Sequence, residues 1–144
     1  MLAQDLITRA PVLVHRTAPV AEAVRRMRDA DVGSVVVVEN GEPLGIVTDR
    51  DVALDLARGV AGRRLVEEVM TPVPVSIPPE ADVEMCLERM EENGVRRIVI
   101  VEDSVIVGIV SLDDVLMHLG YLMGKASSLI RAEVTPHFAE VEEP

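Results

Sequence analysis

Apolar residues along this chain switch between helical spacing and short unbroken runs. Recurrence every three or four positions predicts an amphipathic helix whose stripe consists of Val20, Ala23, Val24, Met27 and Ala30. Valine-rich runs predict strands on either side of Asn40-Gly41, a pair that is typical of a tight hairpin. In chain order, the first half predicts a strand at 11–14, this helix, strands at 34–39 and 43–47, and a helix at 49–58.

The second half repeats this order. It predicts an extended stretch at 73–77, a helix with Val83, Cys86, Leu87 and Met90 inward, strands at 98–101 and 105–110, and a last helix from about 111 toward 131. Gly45-Ile46-Val47-Thr48-Asp49-Arg50-Asp51-Val52 corresponds to Gly108-Ile109-Val110-Ser111-Leu112-Asp113-Asp114-Val115. The offset is 108 minus 45, or 63 residues, and it holds without a gap over most of both halves, which indicates a duplicated unit.

The repeat predicts an α/β (α+β) fold with two β-α-β-β-α copies. Because the strands are apolar throughout, we expect them to be buried on both faces, with the copies packed through their sheets about a pseudo-twofold axis. The predicted domains are 1–62 and 63–124, followed by a helix extension and acidic tail at 125–144. Residues 59–68 are interpreted as a linker, and the tail from Thr135 as frayed.

Charge and composition exclude several classes of function. Fourteen basic against twenty-five acidic residues give a net charge of −11, which opposes binding of bulk nucleic acid. Apolar stretches stay well short of a membrane span, so we expect a cytoplasmic protein without a membrane partner. Cys86, the only cysteine, lies on an apolar helix stripe and indicates a buried hydrophobe. His15, His118 and His137 lack metal-ligand spacing, so neither a metal nor a catalytic site is predicted.

Each copy places a hydroxyl three residues before a carboxylate at a strand-to-helix junction. These are Thr48 with Asp51, and Ser111 with Asp114. An Asp there can accept bonds from a ribose diol, while the N–H groups at a helix start can receive a phosphate. The same residues can instead form helix N-caps with an acid that completes a capping box. The pattern leaves both interpretations open.

The doubled Gly-Ile-Val-Thr/Ser motif in units of about sixty residues resembles a CBS domain pair, or Bateman module, over roughly residues 5–120. The resemblance implies a regulatory module without catalysis or a required cofactor. It implies an adenosine-containing ligand, such as AMP, ADP, ATP or S-adenosylmethionine, in a cleft between the repeats. In such modules the motif Asp holds the ribose, the Thr or Ser lies near phosphate, and basic residues at the start of the hairpin reach phosphates.

The resemblance also implies which residues line each cleft. With Asp114 and Ser111 we expect Thr8, Val12, Val32 and Ile109; with Asp51 and Thr48 we expect Ile46, Thr71, Val75 and Val95. Gly33 and Ser34 are further candidate ligand-binding residues. Arg96 and Arg97 occupy the positions of Gly33 and Ser34 in the second copy, and we expect at least one of them to bind phosphate in the Asp114 cleft. The alternative is an exposed arginine pair that makes only surface contacts. Arg50 is the one cation expected near Asp51, or else a solvated residue of the first helical turn.

Two partners are expected besides the ligand. The long, methionine-bearing last helix suits a homodimer interface. A protein regulated in trans is the second. The alternative function is a ligand-free structural or protein-interaction module in which the motifs serve only as helix caps.

Overall fold

The computed structural model describes residues 1–59, 62–72 and 75–139, with side chains up to residue 133. Contacts divide the chain into a unit Met1–Ser111 and a unit that begins at Leu112. The first unit contains all seven strands that the structure describes, in two sheets.

The first sheet has the strand order β1-β2-β3-β4. Its strands are β1 (Leu13–His15), β2 (Ser34–Glu39), β3 (Glu42–Thr48) and β4 (Thr71–Pro72). Helix α1 (Val20–Ala30) connects β1 to its parallel neighbour β2, and α2 (Asp49–Ala57) follows β3. Val20, Ala23 and Met27 of the predicted stripe are buried, whereas Val24 is 40% exposed.

The second sheet repeats this arrangement with the strand order β5-β6-β7. Its strands are β5 (Ser76–Ile77), β6 (Arg97–Glu102) and β7 (Val105–Ser111), and α4 (Val83–Asn93) precedes β6. Leu13 pairs with Val36 in the first sheet and Ser76 with Val99 in the second, which is the same register 63 residues later (76 − 13 and 99 − 36). The predicted α/β fold with two β-α-β-β-α repeats is therefore confirmed.

Both hairpins turn through residues with positive φ. Asn40 and Gly41 have φ of 52° and 78°, and Asp103 and Ser104 have φ of 47° and 63°. Two consecutive left-handed residues are typical of the type I′ turn, whose twist matches that of the strands. The hairpin prediction at each position is confirmed.

Apolar side chains of the two sheets pack together in one cluster. It contains Val36 and Ile46 from the first sheet and Val99 and Ile106 from the second. A second cluster lies under α1 and is built on Val14, Ala23, Val35 and Val47 with their neighbours. Because these strands are buried on both faces, they lack the alternation of a half-exposed sheet.

A short helix precedes each repeat and bonds to the other repeat. The 3-10 helix Ala3–Leu6 begins where Ala3 N donates to Ala81 O at 2.7 Å, and α3 (Val66–Val69) begins where Val66 N donates to Ala18 O at 2.8 Å. The linker predicted at 59–68 is therefore wrong in its last residues, since α3 starts at Val66; residues 60 and 61 lie outside the described residues. These exchanged segments tie the two copies together.

The second unit contains α5 (Leu112–Ala139). The long last helix that the sequence predicts is confirmed. The frayed tail predicted from Thr135 is wrong as far as Ala139, because the helix continues to that residue, and residues 140–144 lie outside the described part.

Candidate functional site

A cleft of about 350 Å³ opens between the end of β3 and the start of β6, within the first unit. Its lining residues are Ile46, Thr48, Arg50, Asp51, Leu54, Thr71, Val75, Gly94, Val95, Arg96 and Arg97. The cleft therefore brings together residues from both copies of the repeat. Its volume lies within the range of small-molecule sites.

Thr48 and Asp51 form a complete capping box at the start of α2. Thr48 N donates to Asp51 Oδ2 at 2.8 Å, Thr48 Oγ1 donates to the same oxygen at 3.0 Å, and Asp51 N donates to Thr48 Oγ1 at 3.3 Å. The capping interpretation of this motif is confirmed. Both of these bonds to the carboxylate end on Oδ2. The half-buried Asp51 can cap the helix and still present an oxygen to the cleft.

The other N–H groups at the start of α2 are also occupied. Asp49 N donates to Gly33 O at 3.1 Å, and Arg50 N donates to Asp49 Oδ1 at 2.9 Å. The start of α2 therefore has few N–H groups available for an anion in this conformation, although the sequence indicated that a phosphate could bind there. Positive charge in the cleft comes instead from side chains.

Three arginines supply that charge, and their grouping corrects a prediction. Arg96 and Arg97 were expected to serve the Asp114 cleft, but they line the same cleft as Asp51. The reason is that Val95 leads directly into them at the start of β6, and this loop lies opposite the strand-to-helix junction of the other copy. Arg50, expected near Asp51, lines the cleft as well.

The remaining walls are mostly apolar. Ile46 is buried, Val75 and Val95 are half-buried, and Thr71 pairs with Ile46 across β3 and β4. These four residues were expected together with Asp51, and the structure brings them to one cleft.

The sequence missed two lining residues, Leu54 and Gly94. Leu54 is 53% exposed and follows Asp51 by three positions on α2, so the i, i+3 spacing from the motif Asp could have found it. Gly94 ends α4 with a φ of 62°, in the left-handed conformation that glycine adopts without strain.

The residues expected with Asp114 are divided between the two units. Thr8, Val12, Val32, Ile109 and Ser111 belong to the first unit, and Asp114 lies in the first turn of α5 in the second. The candidates Gly33 and Ser34 also belong to the first unit but do not line the Asp51 cleft. Thr8 is exposed, Val32 is half-buried, and Val12 O accepts a bond from Val36 N at 2.9 Å. Their grouping into a second cleft stays a prediction.

Cys86 is fully buried on α4, one turn after the capping residue Asp82. Burial raises the pKa of its thiol, and repulsion from the Asp82 carboxylate raises it further. A thiol in this environment is a weak nucleophile. Among the described residues, no three His, Cys, Asp or Glu side chains are grouped so that they could hold a metal ion.

The CBS domain family model matches residues 3–58 and 66–121. The chain belongs to the CBS domain family. Each matched copy begins at its short lead helix, and the two matches are again 63 residues apart (66 − 3). The chain is thus a CBS pair.

Relatives of this CBS pair include the CBS domain-containing protein YhcV of Bacillus subtilis. The two are 35% identical over 116 residues, which cover 80% of this chain and 83% of YhcV. A CBS domain protein from Pyrobaculum aerophilum, solved with AMP, has a TM-score of 0.74 at 21% identity and covers 88% of this chain and 99% of its own. The CBS pair of MJ0100, solved with 5-methylthioadenosine and S-adenosylmethionine, has a TM-score of 0.73 at 24% identity and covers 83% and 96%. These two structures establish the fold.

No helix in the described part of the CBS pair combines the length and apolar character that crossing a membrane requires.

Proposed function

We propose that this CBS pair is a cytoplasmic regulatory module that binds an adenine nucleotide, AMP, ADP or ATP, in the cleft between Thr48–Asp51 and Val95–Arg97. The observation that carries the proposal is that one cleft contains the Asp51 carboxylate, three arginines and an apolar wall. Two proteins of the same fold were solved with adenosyl ligands, which supports this ligand class.

The ribose is assigned to Asp51. A carboxylate is an acceptor only, and its two oxygens match the two hydroxyls of a diol. Oδ2 is held by the capping box, so the carboxylate is oriented before the ligand arrives. A group held in place by its neighbours loses little freedom on binding.

The phosphates are assigned to the arginines. Arg50, Arg96 and Arg97 outnumber the single lining carboxylate of Asp51, so the cleft is locally positive on a chain of net charge −11. Charge-assisted bonds from guanidinium to phosphate are strong and can be bidentate. S-adenosylmethionine carries a positive sulfonium instead of phosphates, and we expect this cleft to bind it more weakly than a nucleotide.

The base is assigned to the wall formed by Ile46, Val75 and Val95. Aromatic residues are nearly absent from the chain, with one Tyr and one Phe, so stacking on an aromatic ring is not the mode of recognition. Aliphatic contact buries the faces of the purine, and backbone groups of the adjoining strands can read its edge.

We further propose that the chain is not an enzyme and acts on a protein partner in trans. Ligand would link the β3–α2 junction of one copy to the α4–β6 loop of the other. Anything that binds only the folded form stabilises it, by about 2.7 kcal/mol at a ligand concentration of one hundred times Kd. A change in the rigidity or spacing of the two copies is the signal that a partner would read.

A thermal-shift panel with ATP, AMP and S-adenosylmethionine tests the proposal on wild type, Asp51→Asn and Asp114→Asn. We expect the nucleotides to raise the Tm of wild type and of Asp114→Asn, and Asp51→Asn to lose most of that shift. Each shift is measured against the same variant without ligand, because Asp51 also caps α2. Absence of a shift with every adenosyl ligand on wild type would contradict the proposal.

The second candidate function is a ligand-free interaction module, and the formed capping box favours it. In that case Asp51→Asn weakens the helix start and lowers the Tm by the same amount with and without nucleotide. The thermal-shift panel separates the two candidates directly.

A further inference from the structure

Helix α5 carries an exposed apolar stripe that extends beyond the matched CBS domains. Val115 is fully buried, but the stripe after it is open to solvent. Its members and their exposed fractions are Leu116 56%, Leu119 39%, Leu122 44%, Met123 71%, Leu129 70% and Ile130 63%. They recur at three- and four-residue spacing with Ala126, so they lie on one face.

This stripe is too long to be left in water. From Gly120 to Glu133 every residue of the helix is exposed, so in the single chain no face of this segment is covered. Isolated helices of this length are marginal in water, and helices in proteins owe most of their stability to packing of the apolar face. The stripe therefore needs a covering surface.

A membrane is a poor candidate for that surface. Helices that lie on membranes carry many Lys and Arg on the polar face. Here Lys125 and Arg131 are the only such residues between 112 and 133, and the chain has a net charge of −11. Anionic lipid would repel such a protein.

The apolar stripe is complementary in size to the same stripe in the reversed chain direction. About a two-fold axis between Leu122 and Met123, Leu116 lies opposite Leu129, and Leu119 lies opposite Ala126. Large side chains therefore pack against large ones at the axis and at Leu116 and Leu129. Between these positions, the large Leu119 packs against the small Ala126. A surface that is complementary to its own copy is what a two-fold interface requires.

The charges at the two ends of α5 favour an antiparallel over a parallel helix pair. The acidic residues Asp113 and Asp114 lie at the start of α5, and the cation Arg131 lies near its other end. In an antiparallel pair, each acidic start lies level with the partner's Arg131, whereas a parallel pair would set like charges side by side. Antiparallel macrodipoles also attract each other.

We propose that α5 pairs antiparallel with α5 of a second copy of this chain, with the two-fold axis beside Leu122 and Met123. The homodimer interface is then this extension of the last helix, and its register is defined. The pairing is independent of nucleotide binding, since the stripe contains no residue of the cleft.

Cysteine cross-linking tests the register. We expect Met123→Cys to form an intermolecular disulfide under mild oxidation, because its copies lie next to the axis within the span that a disulfide allows. Leu116→Cys alone does not cross-link, since its copies lie 13 positions apart along the helix, or about 20 Å. An equal mixture of Leu116→Cys and Leu129→Cys cross-links between the two variants.

Two controls make every outcome decisive. Wild type contains only the buried Cys86, and Met117→Cys lies on the opposite face of α5 at 76% exposure, so neither should cross-link. Self-linking of Leu116→Cys and Leu129→Cys together with Met123→Cys would indicate a parallel pair and overturn the proposal. Absence of the Met123→Cys disulfide overturns the proposal as well. Binding of α5 to vesicles of phosphatidylcholine and phosphatidylserine without that disulfide would show that a membrane covers the stripe instead.

Discussion

The two copies of the CBS repeat agree at the strand-to-helix junction and differ in the loop that precedes the hairpin. Thr48–Asp51 and Ser111–Asp114 preserve the hydroxyl and the carboxylate, whereas Gly33-Ser34 in the first copy becomes Arg96-Arg97 in the second. In the first copy this pair caps helix α2. At the differing pair, the second copy keeps the strand start and adds two arginines that line the cleft, so the copies share a backbone arrangement and differ in charge.

The Gly33-Ser34 segment of the first copy shows which residue types the backbone geometry allows at the positions of Arg96 and Arg97. Gly33 O accepts the bond from Asp49 N at 3.1 Å, and a Cβ on Gly33 would meet Asp49 Oδ2 at 3.5 Å, an ordinary contact. A side chain is thus tolerated there, and the arginines of the second copy are not required by backbone geometry. Their presence in one copy only is best explained by the anionic ligand that we propose.

The largest difference between the copies is expected at the glycine that opens each motif. A Cβ on Gly45 would lie 2.5 Å from Met70 Sδ and 2.6 Å from Thr71 O, whereas on Gly108 it would meet only the side chain of Ile7, at 2.7 Å. A backbone oxygen within β4 cannot move aside as a side chain can. We expect Gly45→Ala to lower the free energy of unfolding by about 3 kcal/mol and Gly108→Ala by about 1 kcal/mol. Urea unfolding of both variants measures the difference, and equal losses would show that the two close approaches are equivalent.

Replacing the second-copy loop by that of the first removes the charge difference. We expect Arg96→Gly with Arg97→Ser to weaken ATP binding about 10- to 100-fold, since a hydrogen bond to a charged group contributes about 1.5–3 kcal/mol. Calorimetric titration gives the affinity. The matched control is Arg89→Ser on the exposed face of α4, which should leave Kd unchanged. An unchanged Kd in the double variant would show that Arg96 and Arg97 do not bind the nucleotide.

A smaller effect is expected at Asp55, whose counterpart in the second copy is His118 (118 − 55 = 63). Asp55 is 1% exposed, neither of its carboxylate oxygens has a hydrogen-bond partner among the described residues, and Arg64 Nη1 is 3.9 Å away. It also lies in the last turn of α2, where a negative charge is unfavourable. We expect Asp55→Asn to raise the free energy of unfolding by about 1 kcal/mol. A loss of stability in urea would show that the Arg64 ion pair outweighs the cost of burial.

The main helices and both hairpins could be predicted from the sequence because each rests on a local pattern. Helical spacing placed α1 and α4, and the turn residues Asn40-Gly41 placed the first hairpin. The short helices that precede the two repeats, Ala3–Leu6 and Val66–Val69, were not predicted, although they too are related by the offset of 63 residues. Leu2 N donates to Asp5 Oδ2 and Leu65 N to Glu68 Oε2, at 2.8 and 2.7 Å, so an acid three positions after a leucine marked both.

Other features depend on contacts that no local pattern encodes. Strand β4 is two residues long and contains Pro72, and it exists because it pairs with β3. The grouping of Arg96 and Arg97 with Asp51 likewise depends on how one copy faces the other. Leu87 was expected inward by its spacing but is 37% exposed, because it lies at the edge of the α4 stripe.

Residue-specific NMR of the valine and isoleucine methyl groups during titration with ATP tests the central claim most directly, since it needs no substitution. The account predicts that Ile46, Val75 and Val95 shift together, with saturation at one common affinity. Shifts at Val12 and Val32 without any change at Val75 and Val95 would place the nucleotide outside this cleft and contradict the account.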